Sequence, residues 1–178
     1  TYDVQKAIAE NQALLDKDVA DLSDLPVMTD KEKLAIIEIG NRIMPAAFNA
    51  GSLLFFLIGS LTVKLSIQSG NAPSSCFSYS TYGTILCNFS QDVKTAIKFG
   101  QLALNVLSKF NAMPVKASVL TVVALFILHR NNHIRDTAAV LQEAYTTALE
   151  TGDLEYSGYS AYGYCLARFW SGQPLADV

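Results

Sequence analysis

Tyr79-Ser80-Thr81-Tyr82-Gly83 returns 80 residues later as Tyr159-Ser160-Ala161-Tyr162-Gly163. Each copy follows a glycine turn, Gly70-Asn71 for the first and Gly152-Asp153 for the second. In both, Tyr, Tyr, Gly and a Leu (Leu86, Leu166) fall at i, i+3, i+4 and i+7, one face of an α-helix. An offset of this size is two units of about 40 residues, each the length of a helical hairpin in a repeat array. The reading is a stack of helix pairs, an architecture that binds or positions other proteins more than it does chemistry.

Working outward, the chain divides into eight helical segments. Residues 3–22 read as the first, with Val4, Ile8, Leu15 and Val19 on one stripe. The acidic run Asp16, Asp18, Asp21, Asp24 and Asp30 reads as a solvated face and connector. Residues 1–28 thus form an N-terminal helix with an acidic connector, and 29–178 form the repeat region. Thr29-Asp30-Lys31-Glu32 is a capping box opening the second helix, predicted to stop at Met44 before Pro45. Further helices are predicted over 52–68, from Pro73 to Asn88, and after Asp92. In the last of these, Ala96, Phe99, Gly100, Ala103, Leu104 and Leu107 follow the i, i+3, i+4, i+7 template. The sixth runs from Pro114 to Arg130 and the seventh from Ile134 to Glu150, with Leu141, Ala144, Tyr145, Ala148 and Leu149 inward. The eighth runs from Leu154 to Trp170. No strand pattern survives, and the short connections imply antiparallel neighbours.

Composition sets bounds. Of 178 residues, 51% are hydrophobic and only 16% charged, against about 25% charged in an average soluble domain. The core is therefore large, or apolar faces dock on neighbours. The net charge of −3, with no Lys/Arg stripe, argues against a nucleic-acid partner. The apolar runs 50–63 and 119–128 fall short of the ~20 residues a membrane span needs, so both are expected as buried core helices. Three cysteines (Cys76, Cys87, Cys165) without C-x-x-C spacing predict neither a disulfide framework nor a zinc site, but buried free thiols in a reducing cytoplasm. The absence of an initial Met, and Gln173-Pro174-Leu175-Ala176 resembling the start of another helix, suggest a piece of a longer polypeptide.

Ala96-Ile97-Lys98-Phe99-Gly100-Gln101-Leu102-Ala103-Leu104 resembles the small-residue helix crossing of tetratricopeptide repeats. The expected fold is all-α, a right-handed TPR-like superhelical array of about eight antiparallel helices. A closer resemblance rests on four ordered blocks. They are Leu25-Pro26-Val27-Met28-Thr29-Asp30-Lys31-Glu32-Lys33-Leu34; Tyr82-Gly83 with Leu86-Cys87; Phe99-Gly100-Gln101-Leu102-Ala103-Leu104; and Leu149-Glu150-Thr151-Gly152-Asp153-Leu154-Glu155-Tyr156. Together they are similar to the helical segment of very large bacterial, especially cyanobacterial, multidomain signalling proteins. There a serine/threonine-kinase-like domain and an AAA-type ATPase precede the segment, and GAF and histidine kinase domains follow. Ser66-Ile67-Gln68-Ser69 and Phe89-Ser90-Gln91 depart from that pattern. The resemblance implies a non-catalytic, cytoplasmic scaffold or signal-relay segment. Its partners would be protein domains or peptides, first of all flanking domains of the same polypeptide. No phosphate-binding loop and no kinase signature occurs in the sequence.

The remaining constellations are weak. His129 and His133 have helical metal-ligand spacing, but Arg130-Asn131-Asn132 lies between and no third ligand beyond Asp136 stands out. Asp92, Asp153 and Glu155 sit at helix starts, where capping accounts for them. No nucleophile, cofactor site or metal site is expected. Tyr82 and Tyr162, at the strict repeat positions, are expected in the core. Helical phase places Tyr156, Tyr159 and Tyr164 at a groove or docking face, and Trp170 joins them as a candidate interaction surface. The alternative reading is a small-ligand-sensing helical domain with a molecule held between hairpins near these tyrosines.

Overall fold

The computed structural model describes residues 2–14 and 18–173. The described residues form eight α-helices: α1 Tyr2–Ala13, α2 Lys31–Asn49, α3 Leu54–Ser69, α4 Ser75–Ile85, α5 Val93–Phe110, α6 Met113–Phe126, α7 Ile134–Thr151 and α8 Leu154–Trp170. Short 3₁₀ turns occupy Val19–Asp24 and Leu128–Arg130, and a π-turn extends α4 over Leu86–Ser90. No strand occurs among these residues, only an isolated parallel bridge between Val27 and Asn71. The all-helical expectation therefore holds.

Helix boundaries follow the local chemistry. The Asp30 carboxylate accepts from the Glu32 and Lys33 amides and starts α2. Asp92 caps Thr95 and Asp153 caps Tyr156 in the same manner. Gly152, at φ +75°, ends α7, as the left-handed cap requires. Two boundaries differ most from the sequence reading. The first helix stops at Ala13, and Val19 belongs to a separate 3₁₀ turn; Leu15 and Asp16 lie outside the described residues. Met44 does not end α2, which runs through Pro45 to Asn49. Proline removes only the bond to Asn41 from a 19-residue helix. Asn41 is independently fixed, donating to the Ser74 carbonyl at 2.8 Å and accepting from Ser78 Oγ at 3.0 Å. Residues 174–178, read as the start of another helix, also lie outside the description.

Helix α4 is the axis of the molecule. Every residue from Ser75 to Ile85 is buried, and the helix touches α2, α3, α5 and α6. Its composition, SCFSYSTYGTI, suits such a position because small side chains let several neighbours approach. Gly83 is the closest point: a Cβ there would lie 3.0 Å from the Ala96 carbonyl of α5 and 2.7 Å from Ile127 Cδ1. Tyr79, Tyr82 and Phe99 fill the space beside it, with ring centroids 5.0 Å apart for Tyr82–Phe99.

A polar clasp ties the N-terminal segment to this axis. Asn71 is fully buried. Its Nδ2 donates to the Leu22 carbonyl at 2.7 Å, and its Oδ1 accepts from the Tyr79 hydroxyl at 2.7 Å. Its backbone pairs with Pro26 O and Met28 N, both at 2.8 Å. Gly70, at φ +102°, makes this contact feasible, since any Cβ would run into the Pro26 carbonyl. Val4, Ile8, Val19 and Leu22 join the main core as a result. The acidic connector is correspondingly docked: Asp18 pairs with Lys98 at 3.0 Å and Asp24 with Lys109 at 3.8 Å. The hydrogen bond from Lys98 holds the Asp18 carboxyl below its usual range.

Met113–Arg130, 18 residues of mean hydropathy 1.5, is long and apolar enough to cross a membrane by length and composition. Here Ala117, Val119, Leu120, Val123 and Ala124 are buried against neighbouring helices. Inward positions of α7 are Leu141, Ala144 and Ala148, whereas Tyr145 and Leu149, expected inward, are exposed. They lie one residue beyond the buried Ala144 and Ala148, at the edge of the buried stripe.

Denaturant unfolding should rank three variants. Gly70→Ala should lose about 3 kcal/mol through backbone strain and the Pro26 clash. Tyr79→Phe should lose about 2 kcal/mol by orphaning Asn71 Oδ1. Gly158→Ala, on α8 with open space around it, should gain up to about 1 kcal/mol.

Candidate functional site

An apolar cleft opens where the first and last hairpins approach each other. From α2 come Met44, Pro45, Phe48 and Asn49, and from α4 Phe77, Thr81 and Thr84. Helix α6 supplies Thr121, Val122, Leu125 and Phe126, and α8 supplies Tyr156 and Tyr159. The cavity holds about 90 Å³ within a cleft of about 550 Å³, open mouth included. Helical phase explains the wall: Phe77, Thr81 and Thr84 lie at i, i+4 and i+7 on one face of α4.

Aromatic edge contacts stiffen both sides. Phe48 meets Phe55 at 5.2 Å and Phe126 at 5.5 Å. On the other side, Phe77 meets Tyr156 at 6.1 Å, and Tyr156 meets Tyr159 at 5.6 Å, both edge to face, as aromatic quadrupoles favour. Across the mouth, Asn49 Nδ2 donates to the Tyr159 hydroxyl at 2.9 Å, and that hydroxyl lies 3.3 Å from Glu155 Oε1 as donor. This bridge joins residues 110 positions apart. Burial pushes the Tyr156 phenol well above its ordinary value, with Glu155 and Asp153 adding to the effect.

The floor is less settled than the walls. The Thr84 hydroxyl donates to Ser80 O at 3.1 Å, and Thr121 returns to Ala117 O at 2.7 Å while touching Ser160 Oγ. Thr81 is 2% exposed, and its hydroxyl has no hydrogen-bond partner among the described residues. Buried polar atoms are rarely left so.

The sequence-derived candidates separate. Tyr156 and Tyr159 come together at the cleft. Tyr164 packs elsewhere, against the small core of Ala124, Leu141 and Ala167, with the Arg168 guanidinium 5.8 Å from its ring centroid. Trp170 is 68% exposed and pairs with Phe169 at 5.3 Å. Tyr82 is fully buried, as expected, but Tyr162 is 64% exposed, contrary to its reading as core. The reason is position: α4 has neighbours all round, whereas α8 is covered by α6 and α7, and Tyr162 points away from both. Its neighbour Gly163 keeps the crossing role, with a Cβ there 2.6 Å from Leu125 and 3.1 Å from Leu141. Sequence reasoning missed Asn49, Phe48 and Thr81; for Thr81 a signal existed, since it is the one position where the two pentapeptides differ.

His133 caps α7, its Nδ1 accepting from the Arg135 amide at 3.1 Å. Burial lowers the pKa of His129. No group of three His, Cys, Asp or Glu side chains among the described residues could hold a metal ion. Cys76 and Cys87 are buried, and burial pushes Cys76 up to about 12. Cys165 is exposed rather than buried, because it lies on the open side of α8.

No protein-family model matches the chain, and no solved structure matches it. A Dictyostelium discoideum protein described as hybrid signal transduction histidine kinase G is 22% identical over 142 residues. The alignment covers 76% of this chain and 4% of that relative. The chain thus spans a small fraction of the curated relative it matches, and the similarity fits a segment of a signalling protein.

Thiol titration at pH 8 should show one fast-reacting cysteine, lost in Cys165→Ser. Cys76 and Cys87 should react only on unfolding, because only the thiolate attacks and burial disfavours it.

Proposed function

We propose that this chain is a non-catalytic interaction and signal-relay segment of a larger signal-transduction protein. The observation that carries the reading is the alignment of three quarters of the chain with a small part of a signal-transduction histidine kinase. The surface of the last hairpin supports it. Tyr145, Leu149, Leu154, Tyr162, Phe169 and Trp170 are exposed on α7 and α8. Exposed large apolar side chains, here with Phe169 and Trp170 in ring contact, are features of docking surfaces.

The helix pairs also support a repeat-like arrangement of the TPR kind. Helices α2 and α3, α4 and α5, and α7 and α8 are sequential, joined by short links and in mutual contact. In such arrays each unit rests on its neighbours, so displacement of one hairpin is felt by the next. The partners of this reading are protein domains, in the first place those flanking the segment in its parent polypeptide. Kinase or ATPase activity would reside in those domains, and the segment itself would hold or transmit their relative positions.

The test is direct binding between this chain and the separately produced flanking domains. Tyr162→Ala and Trp170→Ala should each weaken association about ten-fold or more, as aromatic anchors do. Stability should stay within about 0.5 kcal/mol of the parent, since both side chains are largely exposed. A marked loss of stability without any effect on binding would assign these residues to packing. Absence of association with every flanking domain would overturn the proposal.

A further inference from the structure

We infer that the cleft between α2, α4, α6 and α8 is a binding site for a small, neutral, largely apolar molecule of about one-ring size bearing one hydrogen-bonding group. The inference is independent of the relay reading. Three properties of the cleft select the ligand class.

The first is volume. About 90 Å³ of cavity inside a mouth-inclusive 550 Å³ suits a ring or short branched chain seated inward with its remainder in the mouth. A dry apolar cavity of about 150 Å³ accepts benzene, so this smaller one encloses only part of a ring, and the rest of the ring lies in the mouth. The second is neutrality. No lining residue carries a charge; Glu155 reaches the cleft only through its 3.3 Å contact with the Tyr159 hydroxyl. An anion would find no cation, and a cation would lose its hydration against phenylalanine and leucine carbon. The third is the unpaired Thr81 hydroxyl. Thr81 lines the cleft, and its hydroxyl, sealed from solvent and without a partner among the described residues, carries a desolvation penalty that a ligand hydroxyl or carbonyl reaching it would relieve.

Thr81 is also where the two copies of the repeat diverge. The second pentapeptide has Ala161, whose α8 lines the same cleft from the other side through Tyr156 and Tyr159. The remaining positions are kept in both copies, so the hydroxyl is not demanded by the helix crossing. The mouth is spanned by one side-chain bond, Asn49 to Tyr159. Breaking it requires no backbone rearrangement, which gives a ligand an entry route. The bridge then re-forms over the occupant or is replaced by it.

The experiment uses the 178-residue chain with three single-ring probes: p-cresol (hydroxyl-bearing), toluene (no hydrogen-bonding group) and benzoate (charged). Methyl-resolved NMR titration reads both affinity and location. p-Cresol should give saturable shifts centred on Met44, Val122 and Leu125. Toluene should bind about five-fold more weakly, the fold-change of one modest hydrogen bond, and benzoate should not bind. Thr81→Val, which keeps shape and removes the hydroxyl, should lower p-cresol affinity to that of toluene and leave toluene unchanged. Val122→Phe, at a half-buried position on the wall, should abolish binding of both while the melting transition is retained. Should that variant not fold, Val122→Leu should weaken both probes. Non-saturable shifts, shifts centred away from the cleft, or p-cresol affinity indifferent to Thr81→Val would each overturn the inference.

Discussion

A helix buried on every side is the constraint on which this structure depends. Helix α4 cannot use the ordinary device of one apolar face and one wet face, because all eleven of its residues are enclosed. Two physical requirements follow. Its side chains must be small enough for four neighbouring helices to close in, and every polar group it brings inside must find a partner. Serine, threonine and glycine meet the first requirement. The second is met only in part: Ser80 donates to Phe77 O and Thr84 to Ser80 O, while the Thr81 and Tyr82 hydroxyls have no partner among the described residues. It is met at longer range by Tyr79 reaching Asn71, and through Asn71 the carbonyl of Leu22. The N-terminal segment is therefore held by the same side chain, Asn71, that satisfies the Tyr79 hydroxyl of the central helix.

That dependence sets what could be read in the chain. Helix existence and order were legible, because amphipathic helices such as α5 carry a strong apolar period and visible caps at Asp30, Asp92 and Asp153. The environment of each helix was not. The pentapeptides centred on Thr81 and Ala161 carry almost the same side chains, yet Tyr82 is sealed in and Tyr162 faces outward. Periodicity reports which residues share a face, and only the number of neighbours decides whether a second face is also covered. The same limit explains Tyr145 and Leu149, which extend an apolar stripe wider than its partners can cover. Pro45 misled for a different reason: proline breaks a helix when its surroundings offer an alternative, and here Asn41 is pinned to α4 by two hydrogen bonds.

The candidate site was half legible. Tyr156 and Tyr159 were readable from the phase of α8. Phe48 and Asn49 were hidden, because they lie on a stretch of α2 that the sequence rules assign to a turn after Pro45. Thr81 was hidden among serines and threonines that all looked alike as helix fillers. What distinguishes it is a hydrogen-bond balance, a property of the assembled neighbourhood. Ser80 and Thr84 on the same helix turn to a backbone carbonyl three or four residues back, whereas Thr81 does not.

The cleft also bears on how α2 and α8 are held relative to each other. Its walls come from residues far apart in sequence, and the direct polar link across its mouth, Asn49 to Tyr159, is exposed to solvent. An exposed hydrogen bond of that kind contributes little on its own. Beyond the wall contacts that tie α2 to α6 through Phe48–Phe126 and α4 to α8 through Phe77–Tyr156, the relative position of α2 and α8 responds to what fills the space between them. An occupant touching both adds contact area that is lost whenever the hairpins part, so it favours the closed arrangement by its differential affinity for that arrangement and by no more than that. Packing at the far end of the array, where Phe169 and Trp170 are exposed, lies on the same helix as Tyr156 and Tyr159. On the relay reading, a rigid α8 would carry a change in the cleft to that surface without a separate pathway through the core.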